Sequence, residues 1–151
     1  MSFTHPTGTR GARQPSRSSN WINRLVARRA RRADGKTMGM NLLVLTTIGR
    51  KSGEPRSTPV GYFTGPGGTW LIAASAAGAK ANPAWYLNLA AHPDEATVEL
   101  AGRKVEVTAE ELHGADREQA WQQITTEAAG FRKYETATDR EIPVIRLTPK
   151  S

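Results

Sequence analysis

Residues 41–56, Asn41-Leu42-Leu43-Val44-Leu45-Thr46-Thr47-Ile48-Gly49-Arg50-Lys51-Ser52-Gly53-Glu54-Pro55-Arg56, set an apolar run directly before a turn holding two glycines, three cations and a hydroxyl. A run of this kind, ended by a glycine, reads as a strand entering a turn. Such a turn can aim backbone N–H groups, Lys and Arg at an anion, because phosphate rewards charge-assisted and often bidentate donors. The alternative is a solvated basic hairpin without a ligand. Neither Gly-x-x-x-x-Gly-Lys-Ser/Thr nor a Gly-x-Gly-x-x-Gly after a strand is present, so the common nucleotide frameworks find no support.

Outward from this hairpin the chain continues in short strands. They are expected near 42–48, 58–63, 69–75, 96–100, 104–108 and 143–147, with turns at Gly65-Pro66-Gly67-Gly68 and Ala101-Gly102-Arg103. One helix should start at Asn82 as N-cap with Pro83 at its first position and carry Trp85, Tyr86, Leu87 and Leu89. Two more are expected, over about 116–128 and 131–137. Strands in hairpins with few helices between them predict an α+β domain built on a small antiparallel barrel, not a doubly wound sheet.

Before the barrel the composition changes. Residues 1–18 are rich in Ser, Thr, Gly, Pro and Arg without apolar periodicity and predict a disordered basic tail. Residues 19–36 predict a basic amphipathic helix, with Trp21, Ile22, Leu25 and Val26 on one side and arginines around them. That helix can pack on the domain as a lid, lie on an anionic membrane surface or bind nucleic acid. The barrel domain itself is expected over 37–151.

The charge of the chain divides along the same line. Of its 151 residues, 1–36 hold nine Lys/Arg and one acid, or +8, whereas 37–151 hold twelve and thirteen, or −1. The basicity therefore belongs to the arm, and nucleic acid is the least favoured partner. There is no Cys, and His5, His92 and His113 lack metal-ligand spacing, so no metal site is expected. No run approaches the ~20 apolar residues of a bilayer span, nor is there a secretory h-region. A cytoplasmic protein is expected, with the arm as a means of peripheral contact with the inner membrane face.

Several segments taken together carry a resemblance. Thr47 to Arg56, then Ala74-Ser75, then Asn82-Pro83-Ala84-Trp85-Tyr86-Leu87-Asn88-Leu89, then Thr138-Asp139-Arg140-Glu141-Ile142-Pro143-Val144, is similar in order and spacing to the deazaflavin-dependent nitroreductase family, which includes F420H2-dependent quinone reductases. The resemblance covers roughly residues 37–149. It implies a six-stranded antiparallel split β-barrel of the FMN-binding type with flanking helices. It also implies an enzyme that transfers hydride from reduced coenzyme F420 to a quinone-like or nitroaromatic acceptor.

On that resemblance Arg50, Lys51 and Arg56 would hold the phosphodiester of the cofactor, with Ser52 and the Gly53 backbone as neutral donors. Thr58, Pro59 and Val60 would lie along the deazaflavin ring, as would Ala73, Ala74 and Ser75. Asn82, Trp85, Tyr86 and Asn88 would cover or border it. Hydride transfer between rings asks the protein for orientation and electrostatics. Ser75 and Tyr134 are the candidates for stabilising negative charge on the acceptor oxygen, and Trp21, Phe131 and Tyr134 for the acceptor pocket. Many relatives have Lys-Gly-Gly after Ala-Ser, where this chain has Ala76-Ala77-Gly78. Small Ala128 and Ala137 near the acceptor wall make quinones the expected acceptors over nitro prodrugs.

Two other classes remain open on the residues alone. One is a split-barrel protein that binds FMN or another anionic cofactor without reductase activity. The other is a membrane or nucleic-acid module driven by the basic arm.

Overall fold

The structure is a computed structural model describing residues 3, 4, 6, 8, 36–37, 40–75, 82–138 and 140–150. The expected helix over 19–36 lies outside the described residues except for Lys36, and so does most of the expected tail. Among the described residues there are eight strands: β1 Lys36–Thr37, β2 Met40–Ile48, β3 Pro55–Gly61, β4 Phe63–Thr64, β5 Trp70–Ala73, β6 Ala96–Leu100, β7 Arg103–Glu111 and β8 Val144–Pro149. Three α-helices accompany them there: α1 Ala84–Ala91, α2 Gly114–Glu127 and α3 Gly130–Ala137.

Every pairing is antiparallel, in the order β1-β2-β6-β7-β8-β5-β4, with β3 on β2. β3 and β4 are one bent strand interrupted only at Tyr62. Its first seven residues pair with β2 and its last two with β5, so the ring of pairings closes through just two residue pairs, Phe63–Leu71 and Thr64–Trp70. This is the expected six-stranded split barrel, with the expected strand 58–63 realised as the bent pair and β1 as a two-residue addition.

Period-two alternation decides what fills it. Leu43 and Leu45, Trp70 and Ile72, Ala96, Val98 and Leu100, Val107 and Ala109, and Ile145 and Leu147 turn inward together, joined by Ala74 and by Tyr86 and Leu89 of α1. A side chain buried as fully as Leu43 contributes about 1.5–3 kcal/mol relative to an exposed one. The opposite phase makes a second core outside the barrel. Phe63, Leu71 and Val144 pack there against Trp121 and Ile124 of α2, with Phe131 and Tyr134 of α3 partly covered. The β6–β7 hairpin turns on Ala101 and Gly102, both at positive φ (49° and 75°), the twist that matches two antiparallel strands.

One local expectation fails. Pro83, not Asn82, stands at the N-cap of α1, and no side chain caps that end. The Asn82 amide is drawn away into a buried network instead.

Candidate active site

The turn between β2 and β3 is tied from within. Gly49 donates to Glu54 O and Gly53 to Gly49 O, each at 2.8 Å, while Glu54 N–H donates to Ser52 Oγ at 3.2 Å. Gly53 sits at φ 71°, a conformation that favours glycine. Gly49 is required for another reason: a Cβ there would stand 2.5 Å from Ser52 Oγ. The Gly53 N–H, expected to face an anion, is thus spent inside the turn; the Ser52 hydroxyl keeps its proton to donate.

Helix α1 holds this turn in place. Buried Asn88 accepts from Arg50 N–H through Oδ1 and donates to Thr47 Oγ1 through Nδ2, both at 3.1 Å. Arg50, Lys51 and Arg56 extend into solvent, and none of their side chains has a hydrogen-bonding or ion-pair partner among the described residues. Register places Arg56, Thr58 and Val60 opposite Thr47, Leu45 and Leu43, so these three form a row on one face of β3. Pro59, opposite Val44, faces the other way.

At the far end of α1 a different set converges. Arg140 is 3% exposed, and its guanidinium donates through Nη1 to Ala74 O (3.0 Å) and Asn82 Oδ1 (2.6 Å) and through Nη2 to Ser75 O (2.9 Å). Burial lowers its pKa from the ordinary arginine value, with nearby Tyr86 acting in the opposite direction. Asn82 Nδ2 in turn donates to Pro6 O at 2.7 Å. Tyr86 has no exposed surface, and its hydroxyl donates to buried Glu111. That carboxylate also receives Thr4 Oγ1 at 2.6 Å, and Phe3 meets the Tyr86 ring edge-on at 5.5 Å.

The expected site residues therefore separate by role. The cationic turn and the half-buried Thr58, Val60, Ser75 and Trp85 present surface. Ala74, Asn82, Tyr86 and Asn88 are buried. Half-buried Ala73 packs on the outer core with Phe131 and Tyr134, whose rings meet edge-on at 5.3 Å. Trp21 lies outside the described residues.

Arg140 and Glu111 were not singled out from the sequence. Arg140 stands there within one of the segments that carry the resemblance, with no role of its own assigned. Glu111 carried a usable signal, since Val107, Ala109 and Glu111 share the inward phase of β7, where a charge must find partners.

Three exposed cations beside a close-approach glycine form a donor set that fits a phosphodiester. A family model for F420H(2)-dependent quinone reductases matches residues 21–149. An F420H(2)-dependent quinone reductase of Mycobacterium tuberculosis is 36% identical over 109 residues, covering 70% of this chain and 72% of that protein. Among solved structures, an F420-H2 dependent reductase (FDR-A) superposes with a TM-score of 0.63 at 33% identity, over 70% of this chain and 92% of its own. A second, described as a domain-swapped dimer, gives 0.64 at 29% identity over 86% and 98%. The chain belongs to the F420H(2)-dependent quinone reductase family, oxidoreductases that use coenzyme F420.

Proposed function

We propose that this protein reduces a quinone, with the Arg50–Lys51–Arg56 turn holding the phosphodiester of reduced F420 and the barrel domain over 37–151 forming the site. The observation that carries the reading is the cluster of three exposed cations on a turn that Asn88 fixes to α1. When bound, coenzyme F420 supplies the hydride. Arg50, Lys51 and Arg56 bind its anionic group, each charge-assisted bond contributing about 1.5–3 kcal/mol. Thr58 and Val60 on one side and the Ala73–Ser75 strand end on the other offer the apolar and backbone surface for a flat ring.

Quinone reduction also adds a proton to oxygen. The Tyr134 and Ser75 hydroxyls are the groups we assign to that acceptor, with Phe131 as apolar wall. The barrel excludes water from the inner face of this strand end through buried Ala74.

Among the described residues no helix is long and apolar enough to cross a membrane. A cytoplasmic location, with the basic segment 19–36 touching an anionic inner membrane face, completes the proposal. Sedimentation with anionic vesicles, with and without residues 1–36, tests that contact.

The central test is equilibrium titration of the purified protein with F420 and, in parallel, with FMN, followed by oxidation of F420H2 with a menadione-like quinone. Saturable F420 binding and quinone-dependent turnover are expected. Tight binding of FMN alone would overturn the assignment.

A further inference from the structure

We infer that Arg140, itself held by Asn82, is the positioning residue for the strand end that faces the deazaflavin ring. This rests on the ring-facing role proposed above for Ala73–Ser75. β5 pairs with β8 from Trp70, opposite Leu147, as far as Ala73, opposite Val144, and Ala74 N–H then reaches across to Pro143 O at 2.9 Å. Beyond that point the carbonyls of Ala74 and Ser75 have no strand partner among the described residues. Arg140, just before β8, supplies one from its side chain: a single planar guanidinium reaches both carbonyls and the Asn82 amide oxygen, within 3.0 Å in each case.

Planarity is the reason for arginine here. Two terminal nitrogens diverge in a fixed plane, so two successive carbonyls and an amide oxygen from another element are held at set angles. A lysine ammonium offers three donors from one point and cannot span the same acceptors. A cation this deeply buried is costly unless its donors are satisfied, so guanidinium and acceptors fix one another. Asn82 is the shared node, because its Oδ1 takes the Arg140 bond and its Nδ2 anchors Pro6 O. Both flanks of segment 76–81, Ser75 and Asn82, are thereby tied to one side chain.

The test uses the full chain with Arg140→Lys, Asn82→Ala and Asn82→Asp, reading F420 affinity by fluorescence quenching and amide exchange at Ala74 by mass spectrometry. Arg140→Lys and Asn82→Ala are expected to weaken F420 about tenfold, roughly 1.4 kcal/mol, and to speed Ala74 exchange. Asn82→Asp keeps the acceptor for Arg140 while losing the donor to Pro6, and is expected to bind F420 more tightly than Asn82→Ala. Equal losses in the two Asn82 variants, or wild-type affinity in Arg140→Lys, overturn the inference. If Arg140→Lys does not fold, the Asn82 pair decides alone. Absence of F420 binding by the wild-type chain is a distinct result, since it defeats the proposed function and the inference with it.

Discussion

The Asn88 side chain joins α1 to the cationic turn, accepting from Arg50 N–H and donating to Thr47 Oγ1 at 3.1 Å each. One amide thus satisfies a turn donor and a buried hydroxyl at once, and α1 becomes the ruler between the turn and the Arg140 network at its other end. Asn88→Leu leaves both partners without their bonds and should cost about 1–3 kcal/mol. For a chain of this size that lowers the melting temperature by roughly 2–4 °C per kcal/mol. Calorimetry of the variant checks the stability, and an accompanying loss of F420 affinity checks that the turn has moved.

Lys51→Ala and Arg56→Ala should separate stability from binding. Both side chains are exposed and have no partner among the described residues, so each substitution should change stability by no more than ~0.5 kcal/mol. Each should weaken F420 by about 1.5–3 kcal/mol if its charge-assisted bond is lost, and the salt dependence of binding should flatten. Unchanged dissociation constants in both variants would refute the placement of the phosphodiester.

The cationic turn was legible because its chemistry is contiguous: three cations and two glycines lie within eight residues after a strand. The barrel was legible because β6 and β7 alternate with period two, while β2 and β5 are short apolar runs bounded by glycine-containing turns. The bend at Tyr62 was less so, since Arg56 and Ser57 on its exposed end mask the start of β3. Arg140 was legible only as a member of a segment that carries the resemblance, and its role was not. Its acceptors come from 66, 65 and 58 residues away, and only the closed barrel brings them beside it. Glu111 is similar, with partners 25 and 107 positions distant.

Gly49 and Ser52 should be coupled. A methyl at Gly49 meets Ser52 Oγ at 2.5 Å and Glu54 O at 3.3 Å, so Gly49→Ala forces the serine off its bond to Glu54 N–H. The expected cost is about 1–3 kcal/mol, as for overpacking elsewhere. Gly49→Ala combined with Ser52→Ala removes the closer of the two contacts. The double variant should therefore be less destabilised than the sum of the singles, and denaturant titration of all four proteins measures the difference. Strict additivity would show that the turn relaxes away from Ser52 without cost.

The N-terminal residues that the structure places are bound to the core network. Thr4 Oγ1 donates to Glu111 Oε2 at 2.6 Å, and Phe3 stacks edge-on against Tyr86, whose hydroxyl donates to the same carboxylate. Glu111 is buried, so losing a donor leaves an acceptor unmet where water cannot readily replace it. Thr4→Val, nearly the same shape without the hydroxyl, should cost about 1.5–3 kcal/mol, the range for hydrogen bonds to charged groups. Phe3→Ala should lose roughly 0.5–1.5 kcal/mol of ring contact beyond its buried area. Because the two side chains meet at Glu111 and Tyr86, their effects should not add, and the coupling should vanish in a Glu111→Gln, Tyr86→Phe background. Thermal unfolding of this series checks the claim. Melting temperatures unmoved by Thr4→Val would show that the carboxylate does not depend on the N-terminal segment.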